Sequence, residues 1–342
     1  MRPRRILAIT KTEMVPPDDV EGIDIDRQIW KMDYDVISHL RKLGHEVRVL
    51  GVGGELGPIR DAIDEFQPHL AFNLLDDFDG EIFFDQNVVS YLELLGVPYS
   101  GCNPRGLILA RDKALSKKIL TYHRIPVPGF AVFRRGRKVT RPSRLEYPLI
   151  VKSLVEQASA GIAQTSVVYD DEALRERVVF VHERVGTDAI AESYIEGREL
   201  YVGVLGNYRL QVLPVWELLF GNLPERAPRI ATAKVKFDVD YQEARGITNA
   251  AADDLDPVLA RRIQDIAKRT YRVLDMNGYA RIDIRLSADG SPRVLEANPN
   301  PQLAWGEEFA ESAQRAGYDY SSLIQRIVSL GLAWQPRRSR RR

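Results

Sequence analysis

The chain of 342 residues carries one cysteine, Cys102, and five histidines, and each scarcity excludes a class of protein. A single thiol rules out an intrachain disulfide framework and fits a reducing compartment. The histidines, at 39, 45, 69, 123 and 182, show no metal-ligand spacing, so zinc chemistry is not expected. No apolar run approaches ~18 residues and no secretory hydrophobic segment opens the chain, so a cytoplasmic protein with no membrane partner is expected. A surplus of one charge is missing too. The 48 Lys plus Arg balance 48 Asp plus Glu, which leaves no basic field for nucleic acid. Gly51-Val52-Gly53-Gly54 lacks the GxGxxG spacing of a dinucleotide fingerprint and reads as a plain turn.

What is present fits two or three globular units, with 44% hydrophobic and 28% charged residues. In the first third, Ile6–Thr10, Glu46–Val52 and Leu70–Leu75 read as short buried strands. Helical patterns cover Arg27–Leu43, Pro58–Phe66 and Gln86–Leu95. Ile29, Asp33, Val36, Ile37, Leu40 and Leu43 make a mostly apolar stripe in the first of them. Such alternation implies a parallel sheet with helices on its faces. Asp76, Asp77, Asp79 and Glu81 follow the third strand, at the end where open α/β sheets bind ligands; a solvated acidic loop is the alternative. Further on, Asp112 reads as the N-cap of Lys113–Tyr122, placing Lys113 and Lys117 on one helix face. Tyr147–Ser153 is an apolar strand closing on Lys152, a costly position unless an anion or acid meets the ammonium. Asp256-Pro257 opens a helix that stops near Gly278, and Tyr320–Leu330 is the last helical pattern. Arg337–Arg342, five arginines in six residues, reads as a solvated, disordered tail.

The stretch from Tyr279 to Leu303 carries the densest chemistry. Two alternating runs, Ala280–Leu286 and Pro292–Ala297, flank Asp289-Gly290, a dipeptide that favours a two-residue hairpin turn. That turn would pair Ala288 with Ser291, Asp283 with Glu296 and Arg281 with Asn298, all four site residues on one face. Directly opposed acids repel unless they share a proton or hold a divalent cation between them. Asp283, Glu296 and Asn298 are hard oxygen donors, suited to magnesium beside phosphate. An exposed hairpin face with solvated charges is the alternative.

The run RIDIRL…VLEANPNP resembles the metal-binding end of the ATP-grasp superfamily, in particular its D-alanine–D-alanine ligase branch, and further matches extend the resemblance over roughly residues 70–331. It implies an α/β and α+β architecture, the ATP-grasp fold. An N-terminal Rossmann-like domain (1–104) would precede a central subdomain (105–190) and a C-terminal domain (191–331), followed by the basic tail (332–342). ATP would lie between the last two domains. Lys113 and Lys152 match the lysines that meet the nucleotide phosphates. EQASAGIA, Glu156–Ala163, resembles the small-residue loop over them, with Glu156, Ser159 and Gly161 in the pattern. AESYIEGREL matches the hinge that holds adenine: Glu192 and the backbone of Ser193, Tyr194 and Ile195 for the base, Glu199 for the ribose. Lys236, with Lys234 as runner-up, matches the lysine of a loop over the γ-phosphate. Asp283, Glu296 and Asn298 would hold two magnesium ions, manganese being an alternative. Arg281 would stabilise the charged intermediate.

The implied reaction is carboxylate–amine ligation of amino acid or peptide-like substrates through an acylphosphate, by a homodimer. A kinase-like use of the same fold and a non-catalytic ATP-binding protein are the alternatives. Two stretches depart from the branch. KTEMVPPDDVEG replaces a first loop with a substrate-placing glutamate, leaving only Glu13 as a stand-in, and Glu307-Glu308 replaces a serine-leucine pair that holds a substrate carboxylate. On these grounds D-alanine is not the expected substrate.

Overall fold

The computed structural model describes residues 2–156, 161–224 and 228–336. Three sheets divide the chain. Strands β1 (Arg5–Lys11), β2 (Glu46–Val52) and β3 (Leu70–Asn73) form a parallel sheet in the order β2-β1-β3. Around it lie α1 (Lys31–Lys42), α2 (Gly57–Phe66) and α3 (Asp85–Leu95), as the alternation predicts. The first helix starts four residues later than expected, because Gln28 is extended after a short turn at Ile25–Arg27. Ile29, assigned to the buried stripe, is 69% exposed as a result.

Helices α4 (Pro104–Arg111) and α5 (Lys113–Tyr122) lead into a four-stranded antiparallel sheet. Asp112 caps α5 as predicted, accepting from the backbone N–H groups of Ala114 and Leu115 at 2.9 Å. This sheet contains β4 (Phe130–Phe133), β5 (Leu149–Ser153), β6 (Val167–Val168) and β7 (Ala189–Ser193), with α6 (Asp171–Phe180) packed on it. Because β7 runs to Ser193, the central unit extends past the expected boundary at residue 190.

The third sheet has the order β10-β9-β8-β11-β12. Its strands are β8 (Gly197–Leu205), β9 (Gln211–Leu219), β10 (Thr248–Ala251), β11 (Tyr279–Ser287) and β12 (Pro292–Pro299). Between β9 and β10, the stretch expected as a loop folds into α7 (Ala233–Phe237) and α8 (Val239–Arg245). Thr232 and Asp238 supply side-chain caps to these helices. Helix α9 (Pro257–Val273) lies under the sheet and begins at the predicted Asp256 cap. Then α10 (Glu308–Arg315) packs on β8 and β9, and α11 (Tyr320–Ala333) returns to the N-terminal unit, packing on α1 and β3. The helix continuing to Ala333 shortens the expected tail at its start, and 337–342 fall outside the described residues.

Alternation places the functional face. Ile282, Ile284, Val294 and Ala297 enter a core shared with α9 and the N-terminal domain, so Asp283 points the other way. Likewise Leu149, Val151 and Ala191 pack into the core of the central unit, which turns Lys152 and Glu192 to its opposite face. The two faces bound one cleft.

Candidate active site

The hairpin delivers the predicted acid pair, but by a different route. Arg281 lies opposite Asn298 and Asp283 opposite Glu296, whereas beyond Asp283 the register shifts and Ile284 faces Val294. Leu295 is therefore the extra residue of a β-bulge. At the turn, Ser287 rather than Ala288 is joined to Ser291, its N–H donating to the Ser291 carbonyl at 3.3 Å. The connection is thus three residues, with Gly290 at φ +75° in the left-handed region that such a loop requires. The longer turn and the bulge each move the register by one residue in opposite senses, so the pairing at the site is unchanged. The bulged Leu295 carbonyl accepts a hydrogen bond from the Lys117 ammonium, which is itself 3.2 Å from Glu192.

The acids meet protein cations. Arg281 donates from Nε to Asp283 Oδ1 at 2.7 Å and from Nη2 to Oδ2 at 3.0 Å, and from Nη1 to Glu308. Its guanidinium carbon sits 4.6 Å from the centroid of the Tyr201 ring. Burial would raise Glu296, but Lys113, Lys236, Lys152 and Arg281 outweigh it and hold its carboxyl down at about 2. For Asp283 burial wins: its pKa is raised, with Glu296 adding to the shift and Arg281 opposing it. Lys236 lines the cleft, while Lys234, the runner-up, is exposed on the other side of the short helix.

On the facing wall, Lys152 lies 3.3 Å from Glu192, and Lys113 donates to the Glu156 carbonyl. Burial and the neighbouring Lys152 and Lys117 push Lys113 down to about 8, although Glu296 and Glu192 act the other way. Glu192 departs from its expected place at a base edge, because its fully buried carboxylate faces Lys117 and Lys152. The Ser193 and Tyr194 N–H groups are also engaged, with the carbonyls of Gly129 at 2.8 Å and Pro148 at 2.9 Å. Among the described residues, the Ile195 N–H makes no such backbone bond. Glu199, expected to receive ribose hydroxyls, accepts from Tyr201 at 3.2 Å and pairs with Arg285 at 3.1 Å, yet still borders the cleft. Gly161 is at φ +69° with its carbonyl bonded to Arg177, and Ser159 lies outside the described residues.

The first-loop and acidic-loop readings change most. Asp76 and Asp77 each meet Lys11 at 2.8 Å, and Glu13 is exposed on a short turn. Sequence reasoning missed Tyr201, Arg285 and the contact of Glu308 with Arg281. Arg285 could have been found, since it is two residues from Asp283 on the same strand face.

A divalent cation fits this donor set. Asp283 and Glu296 are hard carboxylates, a carboxylate bonded to Arg281 keeps lone pairs, and the Asn298 side chain brings an amide oxygen, while its amide nitrogen, buried without a partner, is a donor for an anion such as phosphate rather than for the cation. Among the described residues no cluster of three or more His, Cys, Asp or Glu forms a metal site; the trio here has two carboxylates and an amide.

Residues 119–329, more than half of the chain, match the family model described as D-ala D-ala ligase C-terminus. The chain belongs to that family. This ATP-grasp ligase, an enzyme forming a C–N bond, is 32% identical over 303 residues to the uncharacterized protein y4sG of Sinorhizobium fredii, covering 86% of this chain and 85% of that one. It is 29% identical over 316 residues to a D-alanine–D-alanine ligase of Desulforudis audaxviator, covering 90% and 95%. In fold the ligase resembles the D-alanine–D-alanine ligase of Bacillus anthracis crystallised with ATP, with a TM-score of 0.72 at 24% identity over 96% and 97% of the two chains. The expectation that D-alanine is not the substrate is not borne out by these relatives. No described helix is long and apolar enough to cross a membrane.

Proposed function

We propose that the ligase joins two amino-acid or peptide-like substrates at the expense of ATP. The observation that carries this reading is the opposition of Asp283 and Glu296 beside Arg281, in a cleft also lined by Lys113, Lys152 and Lys236. The substrate carboxylate oxygen attacks the γ-phosphorus, the bond from phosphorus to the ADP oxygen breaks, and an acylphosphate forms. The neutral amine nitrogen then adds to its carbonyl carbon, and the π electrons move onto oxygen beside Arg281. Collapse expels inorganic phosphate and leaves the amide, with the nitrogen's proton passing to solvent. Lys113 and Lys152 grip the phosphates, and Lys236 offsets charge on the transferring group. Asp283, Glu296 and Asn298 hold magnesium, which supplies charge neutralisation on the phosphoryl oxygens when bound. Glu199 and Ile195 are the hinge groups best placed for the nucleoside.

Since the named relatives are D-alanine–D-alanine ligases, D-alanine heads the substrate panel. The test is ADP release over amino acids and dipeptides of both configurations, with mass spectrometry of the products. An amide product with stoichiometric ADP and phosphate is expected. A stable phosphorylated product, or no substrate-stimulated ADP release from any pair, would overturn the reading.

A further inference from the structure

Arg281 is held from two directions, and only one of them belongs to the hairpin. A guanidinium has five N–H donors. Asp283 takes two of them, on Nε and Nη2, and Glu308 takes one on Nη1. Two remain, one on each terminal nitrogen, while the Tyr201 ring covers one face of the cation. Glu308 is the first residue of α10, is 8% exposed, and arrives from outside the sheet. Its helix is anchored by Phe309 in the core and by the Ser312 hydroxyl, which donates to the Pro214 carbonyl at 2.8 Å. The Glu308 side chain is shorter than that of Arg281 and sits buried on an anchored helix terminus, so the contact orients Arg281 rather than following it.

We propose that Glu308 is a positioning residue for the ligation step. It pins the Nη1 side of Arg281 so that the two free N–H groups stay aimed at the oxygen that gains charge when the amine adds. This rests on the role given above to Arg281. Two carboxylates on one guanidinium also outweigh its single positive charge. A ground-state anion is then held weakly, and directional donation to the developing oxyanion is what Arg281 offers. Sequence pattern cannot reveal the pair, because the partners are 27 residues apart on different elements.

The test uses Glu308→Leu, which removes the acceptor, Glu308→Gln, which keeps one, and Glu308→Asp, one methylene too short to reach. Nitrogen-15 spectra of the arginine side chains in the full-length protein give a readout independent of turnover. The Arg281 terminal nitrogens should rotate more slowly in the wild type and the Gln variant than in the Leu and Asp variants, where Asp283 alone restrains them. In turnover, kcat for amide formation should fall about ten- to a hundredfold in Leu and recover in Gln, with KM for ATP unchanged. Oxygen-18 scrambling within ATP, which reports the earlier acylphosphate step, should persist. Unchanged Arg281 rotation in Leu and Asp, or amide formation by both at wild-type rate, would overturn the proposal. If the wild type ligates nothing, the functional reading fails, and the spectra still decide whether Glu308 pins Arg281.

Discussion

The two walls of the cleft bury charge in opposite proportions. On the side of α5 and the central sheet, Lys113, Lys117 and Lys152 surround one acid, Glu192. On the hairpin side, Asp283, Glu296 and Glu308 surround Arg281, while Arg285 is taken by Glu199. Neither wall is balanced within itself. Glu296 is held ionised chiefly by Lys113, Lys236 and Lys152, of which Lys113 and Lys152 come from the facing wall. Isolated buried ions are costly, and each wall lowers that cost for the other. The surplus lysines suit phosphates and the surplus carboxylates suit a divalent cation, so a magnesium–nucleotide complex matches both at once.

Removing the acid that the walls share should break this comparison most severely. Glu296→Gln keeps shape and loses the charge, and turnover should fall about a hundred- to thousandfold or more in a steady-state assay, with the fold intact by circular dichroism. Magnesium-dependent activity at the wild-type level would refute the assignment. Lys152→Met tests the opposite wall more gently, because the stem stays and Lys117 still faces Glu192. A charge-assisted bond contributes ~1.5–3 kcal/mol, so ATP affinity should drop about ten- to a hundredfold by calorimetry. Unchanged affinity would remove Lys152 from the phosphate site.

Much of the hairpin wall was legible in the sequence, because a period of two is a rigid rule: once Asp283 and Glu296 oppose each other, the faces of Arg281 and Asn298 follow. The predicted pairing nevertheless rested on a turn one residue too short, offset by a bulge whose carbonyl needs Lys117 from a distant helix. Local pattern cannot see that compensation. The caps at Asp112 and Asp256 were legible because they depend on the next three residues alone. Glu192, Asp76 and Asp77 were less legible for the opposite reason. Each is an acid in a suggestive motif, and its actual partner, Lys117, Lys152 or Lys11, is set by tertiary packing.

Asp33 sharpens the contrast between the walls by moving it outside the cleft. It is 3% exposed, as deeply buried as Asp283, and its carboxylate accepts from the Thr10 hydroxyl. Lys11, the lysine that acts on it, is already engaged by Asp76 and Asp77, and Asp76 adds a like charge. Burial therefore dominates and raises Asp33 from 3.8 to about 6, whereas Lys113, Lys236 and Lys152 outweigh burial at Glu296 and hold it at about 2. Between those two Asp33 values the native protein keeps a proton that the unfolded chain has lost, so this residue's contribution to stability falls as pH rises through the window. Below it both states are protonated and the contribution is complete. Asp33→Asn keeps the acceptor for Thr10 and removes the titration. It should stabilise the protein by about 1–2 kcal/mol at pH 7.5, less than the changes above, and by nothing measurable near pH 3.5. Urea denaturation at the two pH values measures this. A gain equal at both would assign the effect to packing, and a loss at pH 7.5 would mean that Lys11 compensates the Asp33 charge after all.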